Sequence, residues 1–381
     1  MHIFAATVGV ALIFIVLGDA FETIILPRRV TRKLRLARLF YRYTWMPFRA
    51  IVGGIENRKR REGLFGYYGP LSLLVLLFIW AMGMVFAFAL LQWATPAKFA
   101  GDLGMSEFST AFYFSGTTFF TLGLGDVHPL NGLGRFLSVA EAGTGFGFLA
   151  LVIGYLPVIY QGFSQRETNI SLLDARAGSP PSAAELISRY SHNHALDELE
   201  PLLHEWEHWA AELLESHISY PVLAYFRSQH DNQSWVGSLT TILDATALLM
   251  VGIEGAPARQ AALTFAMARH AVVDLSQVLQ QPPIMDAEDR LPREDLGTVY
   301  AMLRADGALL KKGPAAEERL RELRNMYEPY VLGMARHLQV FVPHWIPRER
   351  RPDNWQTSAW QRAVMNVTTS LEELDRTDDH V

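Results

Sequence analysis

Thr121-Leu122-Gly123-Leu124-Gly125-Asp126 is the stretch on which the reading of this chain turns. Its two glycines alternate with leucines, and glycine reaches backbone angles closed to other residues. Successive carbonyls can therefore turn toward a common axis and replace the water shell of a dehydrated cation. Thr121 can add its hydroxyl as the innermost ligand. Just before it runs an aromatic, moderately apolar segment, Phe108 to Phe120, too short to cross a bilayer. Irregular backbone at membrane depth survives only where protein buries it or where it lines a water-filled path, so the segment reads as re-entrant.

Outward from this segment lie apolar runs long enough to span. Ile3 to Leu26 reaches roughly 36 Å as a helix, against a hydrocarbon core of about 30 Å. Arg28 and Arg29 follow that run, whereas a signal peptide carries its basic residues in front and a small-residue cleavage site behind, so the helix is expected to stay uncleaved. Pro70 to Trp93 is a second span, with Gly69-Pro70 as its start signal, and Phe136 to Gln161 is a third. Residues 27 to 67 are dense in Arg and Lys, while the segment between the second and third spans is sparse in them, Lys98 being one. The positive-inside rule then places the N-terminus outside and everything after Gln161 in the cytosol of a cell bounded by this plasma (inner) membrane. Arg28, Arg32, Arg35, Arg38 and Arg42 recur at helical spacing, as in a surface helix on anionic headgroups; a solvated basic linker is the plainer alternative. Asp19 and Glu22, near the inner end of the first span, are expected to pair with these arginines.

A span, a short aromatic helix, Thr121 to Asp126 and another span, in that order, resemble the pore module of potassium channels over roughly residues 70 to 162. The resemblance implies that Thr121, Leu122, Gly123, Leu124 and Gly125 supply the coordinating oxygens and that Asp126 sits at the outer mouth. It also implies a homotetramer around one pore, with K+ as the permeant ion and no cofactor required. Valine or isoleucine usually follows the threonine, and an aromatic residue usually separates the glycines. Leucine between the glycines is similar to second-pore filters of some two-pore-domain potassium channels. Leu124 cannot donate the hydroxyl hydrogen bond of tyrosine, and Phe120 stands where threonine commonly precedes the filter. Packing is therefore expected to hold the carbonyls, with weak cation selectivity as the alternative outcome. The third span resembles a pore-lining inner helix in which Gly143, Gly147, Gly154 and Pro157 mark a bend or gate, Gly145 allowing close packing or bending with them. Gly143 to Gly147 lies inside an apolar helix with no preceding strand, which excludes a dinucleotide loop.

The 381 residues carry a net charge of -5 and no cysteine, which excludes disulfides, thiolate chemistry and Cys-based zinc sites. After Gln165 the chain turns rich in Ala, Leu, Glu, Arg and Gln, with breaks at Gly178 to Pro181, Gly255 to Pro257, Gln281 to Pro283 and Pro343 to Pro352. Leu196, Leu199, Leu202, Leu203, Trp206, Trp209, Leu213 and Leu214 form an apolar stripe, and 258 to 280 and 315 to 340 favour helix. Trp235 to Ile253 is apolar, but Asp244 and its Ser/Thr content argue for a buried core helix instead of a fourth span. No nucleotide fingerprint appears.

The fold class is thus an all-α membrane protein. Residues 1–69 hold the first span and the basic segment, 70–164 the pore module, and 165–381 a helical cytosolic domain that tetramerises or senses an unidentified ligand. Nucleic acid is not an expected partner. A passive channel with no enzymatic chemistry leads. The rival class is a tethered zinc metalloenzyme or metal sensor at His204, Glu205 and His208, where two histidines one turn apart match H-E-x-x-H without a marked third ligand.

Overall fold

A computed structural model describes residues 1–26, 35–95, 99–101, 104–191, 196–229, 232–311 and 313–346. Arg28, Arg29, Arg32, Lys98 and the end of the last proline-rich break lie outside these residues. The described chain is all-α apart from two strands of two residues each. It divides into two units, Met1–Val52 with Tyr67–Gln161, and Gly53–Gly66 with the described residues from Gly162 onward. Gly53–Gly66 thus goes with the C-terminal helices, a discontinuous division that differs from the three consecutive segments read from the sequence.

In the first unit the leading apolar run forms α1 (His2–Ala20) and ends in a π-helical turn, Phe21–Ile25. Glu22 pairs with Arg35 at 3.5 Å as expected. Asp19 behaves differently from its expected pairing. It is 5% exposed, and its Oδ2 accepts the backbone N–H of Ala37 at 3.0 Å and the indole N–H of Trp80 at 3.0 Å. It therefore satisfies an orphan donor in the first turn of α2 (Leu36–Gly53), the work of a cap done from another helix.

The second span is the later part of α3 (Arg58–Ala94), which begins well before Gly69-Pro70 and passes through Pro70. Proline removes only its own N–H from the ladder, a loss tolerated inside membrane helices, so the basic turns and the apolar span form one helix. Gln92, fully buried near its far end, donates to Gly134 O at 3.2 Å and ties α3 to α5 (Gly132–Ala177). Between them lie β1 (Phe99–Ala100), α4 (Glu107–Phe119) and β2 (His128–Pro129), the two strands pairing antiparallel.

The second unit packs the end of α5 with α6 (Ala183–Ser191), α7 (Leu199–Ser219), α8 (Trp235–Gly252), α9 (Ala258–Val278), α10 (Arg293–Ala305), α11 (Pro314–Asn325) and α12 (Glu328–Leu338). The stripe on α7 is buried as its spacing implies. The stretch 315 to 340 is two helices, because Pro329 lacks the N–H a continuous helix needs and sits instead in the first turn of a new one.

By length and composition α8 is one of four helices among the described residues apolar enough to cross a membrane. Here it is a core helix, enclosed by α6, α9, α11 and α12. Asp244, 1% exposed, is held there by Arg290, whose two terminal nitrogens lie 3.2 and 2.8 Å from its oxygens, and by the hydroxyl of Tyr327. Arg290 also reaches Glu328 at 3.0 Å and Pro343 O at 2.8 Å. Arg324 then joins Glu328 at 3.0 Å and Asp289, so that every charge in this network has an opposite partner.

Candidate functional site

The re-entrant segment is built by α4. Ser106 caps it, its Oγ accepting the N–H of Ser109 at 3.3 Å, and Glu107 stands in the first turn, where an acid suits the helix dipole. The helix ends at Phe119, so its partial negative pole leads into Thr121, on the side where a cation would sit. Positive φ then recurs at every second residue: Thr121 at 57°, Gly123 at 56° and Gly125 at 77°. Such backbone favours glycine and costs a β-branched residue about 1–2 kcal/mol, so Thr121 must be held. Its N–H donates to Thr118 O at 3.0 Å, and Leu122 N–H donates to Thr117 O at 2.8 Å. Residues 120 to 126 are all exposed in the single chain, Leu122 and Leu124 by 64% each.

The brace of this segment is more directional than packing alone. Tyr113, on α4, donates its hydroxyl to Asp126 Oδ2 at 2.8 Å, and Asp126 Oδ1 accepts the N–H of Val127 at 3.0 Å. A tyrosine hydroxyl of α4 thus holds the carboxylate that follows Gly125. The strand pair lies next to Asp126 in the chain. Gly101 has φ 99°, and a Cβ there would lie 2.0 Å from Asp126 O, so only glycine allows this approach.

On its other side α4 meets α5. The buried Ser115 donates to Glu141 Oε1, and the other oxygen of Glu141 has no hydrogen-bond partner among the described residues. One turn further, a Cβ on Gly145 would lie 2.0 Å from Phe119 O. Gly145 is therefore the contact glycine, whereas Gly143, Gly147 and Gly154 face open space within the chain, and α5 runs through Pro157 without a break. Gly145→Ala is expected to lower the midpoint of thermal unfolding of the detergent-solubilised protein, by about 1–3 kcal/mol of overpacking. Gly154→Ala should leave it unchanged. Equal midpoints for the two variants would mean that α4 and α5 do not meet at Gly145.

His204 and His208 lie on the exposed face of α7, ring centroids 4.8 Å apart and edge-on, with His204 Nδ1 3.8 Å from Glu207. Glu205 is partly buried. No group of three or more His, Asp or Glu side chains placed to hold a metal ion occurs among the described residues.

Residues 72–161, the stretch just described, match a protein-family model described as ion channel. An uncharacterized membrane protein, YdjJ, of Bacillus subtilis (strain 168) is 21% identical over 220 residues, 57% of this chain and 62% of that protein. The match thus spans less than two thirds of that relative's length. No solved structure matches the chain. Residues 72–161, from the second span through the third, are thus similar to an ion-channel module, in a chain similar to a membrane protein.

Proposed function

We propose that four copies of this chain surround a central pore and conduct potassium passively through the backbone oxygens of Thr121 to Gly125. The observation that carries this reading is the alternation of positive φ at Thr121, Gly123 and Gly125, directly after a helix whose negative end faces the path. Two further features support it. The filter lies open in one chain, and only 17% of the apolar stretch of α5 is buried against 61% for α3, so α5 is the helix that other copies and the pore would cover. The basic residues before the second span favour an N-terminus outside and the second unit in the cytosol of a plasma-membrane protein. Conduction of this kind needs no covalent step.

Selectivity, in this reading, rests on the bond between Tyr113 and Asp126. The test is reconstitution into liposomes with opposing sodium and potassium gradients, together with the mass of the solubilised particle. A potassium-directed reversal potential and a four-chain mass are the expected results. Tyr113→Phe removes one hydrogen bond of about 1 kcal/mol and should reduce the preference for potassium roughly fivefold. A wild-type reversal potential indifferent to the two cations would favour the weakly selective reading, and a monomeric particle that conducts would sink the tetramer.

A further inference from the structure

The second unit contains a cavity of about 590 Å³, walled by the first turns of α3, the loop before α8 and the chain around the end of α12. Arg58, Arg61, Arg227 and Arg336 line it against a single acid, Glu62, so four positive charges meet one negative. The arginines differ in how firmly they are placed. Arg227 donates to Leu338 O at 2.8 Å and Gln339 O at 3.1 Å and lies 4.7 Å above the ring of Phe65, which fixes its charge in the wall. Arg58 makes a long contact of 3.3 Å with Asn232, Arg61 stands 3.9 Å from Glu62, and Arg336 has no ion pair among the described residues. Three guanidinium groups thus keep donors to give.

A second observation is independent of charge. Gln233 lines the same cavity and is only 8% exposed, yet its amide makes no hydrogen bond with any described residue. Its amide is not sealed from the cavity, so it offers a donor and an acceptor to whatever fills the space. Ser234 and Gly237, at the N-terminal end of the 18-residue α8, also face the space, adding the partial positive charge of a helix start. Phe341, 47% exposed, gives the wall an apolar plate.

We infer that this cavity binds a phosphate-bearing organic anion of nucleotide size, either free in solution or as the headgroup of a lipid. Guanidinium groups match phosphate oxygens two at a time, the volume lies within the range of about 300–1,000 Å³ typical of small-ligand sites, and the Phe341 ring suits a planar base. Arg58 and Arg61 belong to α3, the helix that continues into the pore module, so occupancy acts on a helix of the channel. The regulatory consequence rests on the channel reading, but the binding does not.

Calorimetric titration of the full-length detergent-solubilised protein with ATP, and separately with pyrophosphate, tests the free source. Flotation with phosphatidylcholine vesicles, with and without phosphatidate, tests the lipid source. Saturable binding of one ATP per chain, weakened at least tenfold by Arg58→Gln with Arg61→Gln and also by Gln233→Leu, is the expected result for a soluble ligand. No ATP binding, together with phosphatidate-dependent flotation that the same variants weaken, assigns the site to a headgroup. Gln233→Leu removes no charge, and circular dichroism checks its fold; Arg336→Gln replaces it if it misfolds. Binding that ignores Gln233→Leu and Arg336→Gln, or no saturable binding of either probe with no phosphatidate dependence, overturns the inference.

Discussion

Replacing Gly123 with alanine is expected to cut cation flux at least tenfold at equal protein in the bilayer, with the membrane helices still folded. The reason is the backbone and not a collision, since nothing lies within 4 Å of a Cβ built on Gly123. At φ 56° an alanine carries a strain of about 1–2 kcal/mol, and the easiest relief is a return to negative φ. That rotation turns the adjoining carbonyls away from the axis on which the proposed filter needs them. A carbonyl ring that replaces a hydration shell tolerates little such motion, because each lost ligand leaves the ion partly dehydrated without compensation. Helix content should be unchanged, because Gly123 lies outside α4 and α5. Flux assays on vesicles matched for protein content decide the matter, and undiminished conduction would remove Thr121 to Gly125 as the filter.

Arg290→Ala is expected to destabilise the second unit by about 3–5 kcal/mol, because it strips the cation from two buried carboxylates at once. Asp244 and Glu328 are 1% and 9% exposed, and Tyr327 and Arg324 would remain as their partners, with no cation left on Asp244. Burial alone pulls the Arg290 guanidinium toward losing its proton, and the neighbouring Asp244 more than reverses this, so it stays charged across the working range. The comparison is Arg319→Ala, whose pair with Glu322 is more than half exposed on both sides and is worth at most about 1 kcal/mol. Thermal or denaturant unfolding followed by near-ultraviolet circular dichroism separates the two variants. Indistinguishable midpoints would mean that the network around Asp244 is dispensable.

The sequence made the architecture legible wherever one physical quantity dominates. Apolar length marked the first and third spans, the buried face of α7 followed from a single period, and Asp244 within an apolar run argued for a core helix in α8. Helix α3 begins earlier than Gly69-Pro70, because that pair is a strong local start signal in water and a weak boundary inside a helix that neighbouring protein supports. The alternating glycines pointed to the positive φ found at Gly123 and Gly125, since glycine is the one residue whose conformational reach shows in its letter. The braces of the filter were not legible. Tyr113 carries the one hydroxyl among the rings of Phe108, Phe112, Tyr113 and Phe114, but nothing in that run says that it turns toward Asp126. Ser115 and Glu141 lie 26 positions apart, on helices whose mutual rotation decides whether they meet. Of the four inner-helix glycines, only contact geometry separates Gly145, whose missing Cβ admits Phe119, from those facing open space.

The discontinuous make-up of the second unit has a consequence for biosynthesis. Gly53–Gly66 leaves the ribosome before the pore module, while its partners begin only at Gly162. At about 5–20 residues per second, the interval from Gly66 to Gly162 alone lasts on the order of 5–20 s. Synthesis of the apolar parts of α3 and α5 thus falls between that of the two parts. The basic turns of α3 must wait in an unfinished state while the intervening segment is made. The late-arriving helices then close a unit whose first piece already exists, so the order of translation makes synthesis of that segment a precondition for completing the C-terminal fold.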